Sequence, residues 1–215
     1  MSIDALLKSA LVDTARSRQV AIGPSEVGDC RRRVALRLAG NERPNESSTL
    51  RLSSWMGTAI HTALEASIRF NDPFSERYLT EVEVRLDDPP LLGHVDVYDM
   101  QEAHVIDWKT ITKKKVSVFP EQQKQWQIML YAYMLKEVGM PVEQVSLVGI
   151  PRDGDERDIV VWTREYDPSI VDQALAWLER VRQGDATPDK RPSFCTLYCP
   201  YFDESGVVGC AGKSD

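Results

Sequence analysis

Asp96, Asp107 and Lys109 stand within the stretch GHVDVYDMQEAHVIDWKT, residues 93–110. The runs on either side of DMQEA alternate apolar and polar residues, the pattern of two half-buried strands joined by a short turn, so an antiparallel hairpin is expected. Alternation also places Asp107 and Lys109 on the same side of the second strand. Two carboxylates brought within a few Å repel each other and raise one pKa unless a cation sits between them. Hard oxygen ligands of this kind suit Mg²⁺ or Mn²⁺. A protonated lysine beside such an ion is no ligand; it can orient an attacking water or neutralise charge growing on a phosphorus centre. A solvated sheet face with an incidental ion pair would use the same residues, and short D…DxK patterns are common.

Other residues with chemical potential flank the hairpin. Upstream, GTAIHTALE sets His61 and Glu65 four apart on one helix face, and LTEVEV carries Glu81 and Glu83 at a spacing that predicts a shared strand face. Downstream, QIMLY sets Gln127 and Tyr131 four apart, with Trp126 beside them as either a base-stacking or a core residue. His94 and His104 receive no role. Glu65 is read either as support for His61 or as surface charge.

The elements that must position these side chains can be read along the chain. Amphipathic helices are expected over 3–16, over SEVGDCRRRVALRLAG with Ser25 as N-cap and Gly40 as stop, and over SSWMGTAIHTALEASIRF; NERPNESST between them is a polar loop. LTEVEVRL and the hairpin follow as strands, then a long helix over EQQKQWQIMLYAYMLKEVG, strands in VEQVSLVGI and ERDIVVWTREY, and a last helix opened by Asp167 and Pro168. RPSFCTLYCPYFDESGVVGC fits neither pattern. The fold class is therefore mixed α/β, a central mixed sheet flanked by helices.

At 215 residues, 42% apolar and 27% charged, the chain has the composition of one globular domain. A net charge of −7 argues against a surface that coats nucleic acid as a whole, and leaves room for a local groove built from Arg31 to Arg33 with Arg37, Lys113 to Lys115, and Lys190 with Arg191. No run approaches the ~20 apolar residues of a membrane span, and the N-terminal residues lack the apolar centre of a secretory signal. A cytoplasmic location and no membrane partner are expected. Reduced thiols would then make Cys30, Cys195, Cys199 and Cys210 buried residues or metal ligands rather than a disulfide framework. The CTLYCP spacing suits chelation, of zinc or of an iron-sulfur cluster, and the terminal segment has too few large aliphatics to fold without a staple.

Taken in order, His61, Asp96 in a G-x-x-D strand, Asp107-Trp108-Lys109, and Gln127 with Tyr131 resemble the motif series of the PD-(D/E)xK nuclease superfamily in its RecB-like branch. Val95 replaces the proline that gives the superfamily its name. The resemblance implies a restriction-endonuclease-like core over about residues 45–185 of a single nuclease domain spanning 1–215. It implies that His61, Asp96, Asp107 and the Trp108 carbonyl bind the metal, that Lys109 assists the nucleophilic water, and that Gln127 and Tyr131 contact DNA or tie their helix to the site. One cysteine before the core and three after it resemble the layout of the iron-sulfur nucleases, among them the CRISPR-associated Cas-four proteins. That implies a [4Fe-4S] cluster, with Zn²⁺ as the alternative, clasping residues 20–40 to 190–215; the interval from Cys199 to Cys210 is longer than that layout usually shows.

The function implied is metal-dependent hydrolysis of DNA, as an exonuclease on single-stranded ends, 5′ to 3′. The setting implied is phage recombination or replication, or CRISPR spacer acquisition, with protein partners in either. Two other classes stay open: a nuclease-fold module that binds DNA without cutting it, and a zinc-stapled structural protein whose acidic hairpin is surface.

Overall fold

The computed structural model describes residues 21–45 and 52–214. The helix expected over 3–16 and the loop from residue 46 onward lie outside them. Five strands, β1 (Tyr78–Leu86), β2 (Leu91–Asp99), β3 (His104–Ile111), β4 (Gln144–Pro151) and β5 (Val160–Glu165), form one sheet whose spatial order equals the chain order. β1, β2 and β3 run as an antiparallel meander, β3 and β4 are parallel, and β4 pairs antiparallel with β5. The sheet is thus mixed, and its parallel step requires a crossover. A helix supplies it.

Five helices are described: α1 (Arg31–Leu38), α2 (Leu52–Asn71), α3 (Gln122–Glu137), α4 (Pro168–Arg182) and α5 (Pro192–Tyr198). α3 is the crossover between β3 and β4. Its residues 127–132, with Met134 and Leu135, are all buried, which explains why its apolar residues show no single face. They pack with Val95, Tyr98, Val105 and Leu147 of the sheet and with Val171 and Leu178 of α4. At about 1.5–3 kcal/mol for each large aliphatic taken from water, this layer is the main source of the rigidity that the sheet end requires. α4 begins as its sequence predicts: the Asp167 carboxylate accepts from the Ser169 amide at 2.9 Å and Pro168 occupies the first turn.

Two elements differ from expectation. The first helix starts at Arg31 rather than after Ser25, because Ser25 lies inside a 3₁₀ turn (Pro24–Glu26) and Gly28 then adopts φ +82. A Cβ on Gly28 would lie 2.8 Å from the Trp126 ring, so glycine both makes the turn and lets α3 approach. Pro192–Tyr198, read as irregular, is a helix of two turns opened by proline, too short for periodicity to reveal.

The hairpin has the expected hand-over of strands and one informative departure. Val97 faces Ile106, Tyr98 faces Val105 and Asp99 faces His104, and the paired residues stop there. The next residues along each strand are Asp96 and Asp107. Asp96 Oδ2 accepts the Trp108 amide at 2.8 Å, so a side chain takes the place of a ladder carbonyl where the two strands part. His104 opens β3 rather than sitting in the turn, and its Nε2 lies 2.8 Å from Ser146 Oγ on β4.

Candidate active site

The parting of β2 and β3 opens a cleft of about 750 Å³ lined by His61, Glu81, Asp96, Asp107, Lys109 and Gln127 among others. α2 brings His61 over the sheet, β1 brings Glu81, β2 Asp96, β3 Asp107 and Lys109, and α3 Gln127 with Tyr131. One ligand atom each from His61, Glu81 and Asp96 lie within 4.8 Å of one another. His61 Nδ1 is buried, 3.3 Å from Asp96 Oδ1, without the alignment of a hydrogen bond. An imidazole nitrogen and two carboxylates aimed at one point form a donor set that fits a hard divalent cation.

Asp107 lies behind this group, 2% exposed. Its Oδ2 contacts the Lys109 ammonium at 2.5 Å and its Oδ1 lies 3.4 Å from Gln127 Nε2, which is 3.3 Å from the Tyr131 hydroxyl. Burial pushes the Asp107 carboxyl up to about 6 and Asp96 adds to this, against the opposing pull of Lys109. His61 is raised by the Asp96 carboxylate, with burial opposing. The sheet holds Glu81, Asp96 and Asp107 close enough to repel one another, which Lys109 and His61 relieve only in part and a divalent cation would relieve further.

Glu81 and Glu83 do not share a face. Glu81 has φ +51, a left-handed conformation inside a strand, which turns its carboxylate toward His61 and Asp96. Glu83 is well exposed and lies 3.5 Å from His94 Nε2. A non-glycine residue held there costs about 1–2 kcal/mol. Glu81→Gly is therefore expected to hold or raise the melting temperature of the metal-free protein, and Glu81→Val to lower it; thermal melts in EDTA check the order.

The glycine of G-x-x-D also has a spatial reason. A Cβ at Gly93 would lie 2.6 Å from the Tyr131 ring and 3.0 Å from Pro24. Gly93→Ala is expected to destabilise the fold by about 1–3 kcal/mol by overpacking and to displace Tyr131 from Gln127, read as a fall in the denaturation midpoint.

A family model of the PD-(D/E)XK nuclease superfamily matches residues 75–203, from the start of β1 to the cysteine segment. The chain belongs to the PD-(D/E)XK nuclease superfamily. Solved structures agree in fold. A crystal structure of SSO0001 superposes with a TM-score of 0.66 at 19% identity, over 100% of this chain and 99% of that one. The alkaline exonuclease LHK-Exo of Laribacter hongkongensis gives 0.53 at 12%, over 78% and 91%. A phage-related exonuclease of Haemophilus somnus 129PT gives 0.50 at 9%, over 78% and 94%. No curated protein matches the sequence. At these identities the solved structures speak for architecture alone.

In this nuclease several flanking residues have structural partners. Glu65 pairs with Arg69 at 2.7 Å, four residues along α2, and does not reach His61. Trp126 packs edge-on against Trp177, with ring centroids 6.5 Å apart, so it belongs to the core. The basic clusters are largely neutralised: Arg31 bridges Asp185 and Asp189, Arg33 meets Asp29, Arg37 meets Glu26, Lys113 meets Asp158 and Lys115 meets Glu121. Lys124, which the sequence reading passed over, lies close enough to Lys109 for the two charges to repel, and burial first and Lys109 second lower its pKa. Its signal was its position three residues before Gln127, on the same helix face.

The structure brings the four cysteines of the nuclease into one neighbourhood. Arg31 and the Arg32 amide tie the start of α1 to residues 185–189, which sets Cys30 against the Asp189 amide. Cys195 lies on α5, and Cys199 and Cys195 pack with Leu36 and Tyr201. The Asp203 carboxylate accepts from Ser205, Val208 and Gly209, folding the long interval so that Cys210 returns to hydrogen-bond Tyr201. Burial, then Cys199, Cys30 and Cys210, push the Cys195 thiol up to about 11. Among the described residues no three sulfurs lie within 4.8 Å of one another. No described helix is long and apolar enough to cross a membrane.

Proposed function

We propose that this nuclease is a Mg²⁺- or Mn²⁺-dependent deoxyribonuclease that degrades DNA from single-stranded ends, in the 5′ to 3′ direction. The observation that carries the reading is the convergence of His61, Glu81 and Asp96 beside a buried Asp107 in contact with Lys109, in a chain of this superfamily. The exonuclease names of two similar folds support action at ends.

His61, Glu81 and Asp96 would hold the metal, with Asp107 and the Trp108 carbonyl completing its surroundings. When bound, the ion supplies Lewis-acid polarisation of the scissile phosphate and an acidified water. The chain's own groups do the rest. Lys109, held by Asp107, presents a cation to the attacking water and to the charge that grows on phosphorus. Gln127 and Tyr131 act as positioning residues: the amide steadies Asp107, and the phenol steadies the amide.

Cys30, Cys195, Cys199 and Cys210 are assigned to a [4Fe-4S] cluster that clasps the two ends of the chain. Zn²⁺ on the same four thiolates is the alternative. The proposed setting is cytoplasmic, in phage recombination or replication or in CRISPR spacer acquisition.

Labelled single- and double-stranded DNA incubated with Mg²⁺, Mn²⁺ or EDTA tests the activity. Metal-dependent mononucleotide release is expected; DNA binding without cleavage under every metal would replace this reading by that of a non-cleaving module. An anaerobic preparation absorbing broadly near ~400 nm is expected for the cluster, and a colourless one with stoichiometric zinc would overturn it.

A further inference from the structure

A second cleft, of about 460 Å³, shares His61 and Lys109 with the acidic one but none of the carboxylates that gather there. Its cations are Lys109, Lys115, Lys124 and Arg152, and its sole lining carboxylate, Glu121, is already paired with Lys115 at 2.9 Å. Lys109 is committed to Asp107. Lys124 and Arg152 have no carboxylate within ion-pair distance among the described residues. Hydroxyls of Ser54, Thr58, Thr110 and Thr112 line the same walls, and Thr112 Oγ1 is buried with no hydrogen-bond partner. Thr112 stands where it could cap the following 3₁₀ turn, yet its side chain does not do so.

A partly buried ammonium near a second ammonium, with no carboxylate in ion-pair contact and an idle hydroxyl nearby, is an unfavourable arrangement for the protein alone, even with the more distant pull of Asp107, Glu121 and Asp29. Both defects vanish if an oxyanion with several acceptor oxygens enters the cleft. The depression of Lys124 by burial and by Lys109 agrees with this, since an anion would reverse it.

We propose that the second cleft is an anion subsite for a phosphate group of the substrate strand next to the one being cleaved, with Lys124 as its principal contact and Arg152 and Thr112 as further donors. The inference rests on the nuclease reading: the two clefts meet at His61 and Lys109, so a strand cleaved at that junction must place its next phosphate on one side or the other. The other side holds the carboxylates assigned to the metal, so the cation-lined cleft is the one that takes the neighbouring phosphate.

The test uses the full chain with its cysteine-bound group and fluorescent single-stranded oligonucleotides in Ca²⁺ or EDTA, over a series of salt concentrations. Lys124→Gln is expected to weaken binding by about tenfold and to lower the slope of log affinity against log salt by about 0.7, the value for one phosphate contact on a single strand. Lys124→Arg restores both. In Mg²⁺ the same change is expected to raise KM far more than it lowers kcat. Oligonucleotides ending in 5′-phosphate, 5′-hydroxyl or 3′-phosphate tell the sources apart: a loss confined to one phosphorylated end marks a terminal phosphate, and an equal loss for all marks an internal phosphodiester. Arg152→Gln, at an exposed position, gives a second measure free of folding effects and is expected to lower the slope by less.

An unchanged salt slope and unchanged KM in both variants overturn the subsite, even where the wild type cleaves. A wild type that never cleaves, yet shows the Lys124-dependent slope, would overturn the nuclease reading and leave the anion site standing.

Discussion

Lys109→Ala is expected to lower metal-supported DNA cleavage by about 10³-fold while changing DNA affinity in Ca²⁺ only a few-fold, as measured by single-turnover cleavage and by anisotropy. The magnitude is that of removing one fixed charge aimed at the developing transition state in a site shielded from bulk water. Lys109 is partly buried and bound to Asp107, so its ammonium is held in place before substrate arrives, with little reorganisation left to the reaction. A substitution that cost affinity and rate equally would instead place Lys109 in ground-state binding. Full activity in Lys109→Ala would remove it from the mechanism, and with it the reason for an aspartate and a lysine alternating on one strand face.

Asp107→Asn separates activity from stability, because the two are expected to move in opposite directions. Activity should fall by about 10³-fold or more, since the amide can neither hold Lys109 by charge nor contribute to a cation's surroundings. The metal-free protein should become more stable at neutral pH. The sign follows from linkage: the Asp107 pKa is raised on folding, to about 6, so its charged form destabilises the fold above that pH, and the penalty is lost as pH falls from about 6 toward the unfolded value near 3.8. A shift of this size corresponds to about 2–3 kcal/mol at pH 7.5. His61, also raised on folding, adds stability that is present below its unfolded value and is lost as pH rises through its folded one. Both groups therefore make the metal-free wild type more stable near pH 5 than near pH 8, and Asp107→Asn should retain only the shallower histidine part. Denaturant titrations in EDTA at the two pH values check this; an asparagine variant less stable than wild type at pH 8 would show that Lys109 compensates the buried carboxylate in full. Added Mg²⁺ should narrow the gap by stabilising the wild type more than the variant.

The stability pattern is one physical description of why such a site is detectable at all. Three acids that repel one another are collected with a histidine by four elements, and the buried crossover helix and the central strands hold them together against that repulsion. Glu81 carries the same message in its backbone, a left-handed residue in a strand whose neighbours on both sides are regularly paired. Strain of this kind survives where surrounding packing dictates it, and here it delivers a carboxylate to the cleft.

Much of this was legible in the residues. Alternation marked the first three strands, strand-like runs marked the last two, and the pattern after Pro120 marked a long helix; the ordered types His61, Asp96, Asp107, Lys109, Gln127 and Tyr131 carried the family. These features are local or follow chain order, so sequence expresses them directly. The tertiary structure alone decided the rest. Strand alternation puts Glu81 and Glu83 on one face, and the left-handed torsion at Glu81 separates them. Helix spacing made Glu65 a neighbour of His61, whereas its nearer partner was Arg69. The basic clusters looked like a groove in one dimension, yet most of their charges find a carboxylate, some nearby as Arg33 does in Asp29 and some distant in sequence as Arg31 does in Asp185 and Asp189. Among the described residues of the second cleft, Lys124 is a cation without an ion-pair partner, a residue without a motif, and it stands out only because α3 lays it near Lys109 in a cleft whose one lining carboxylate, Glu121, is paired with Lys115. Sequence determined which groups this protein owns and which elements carry them; the fold decided which charges are cancelled, because pairing over long chain distances depends on packing that no local pattern records.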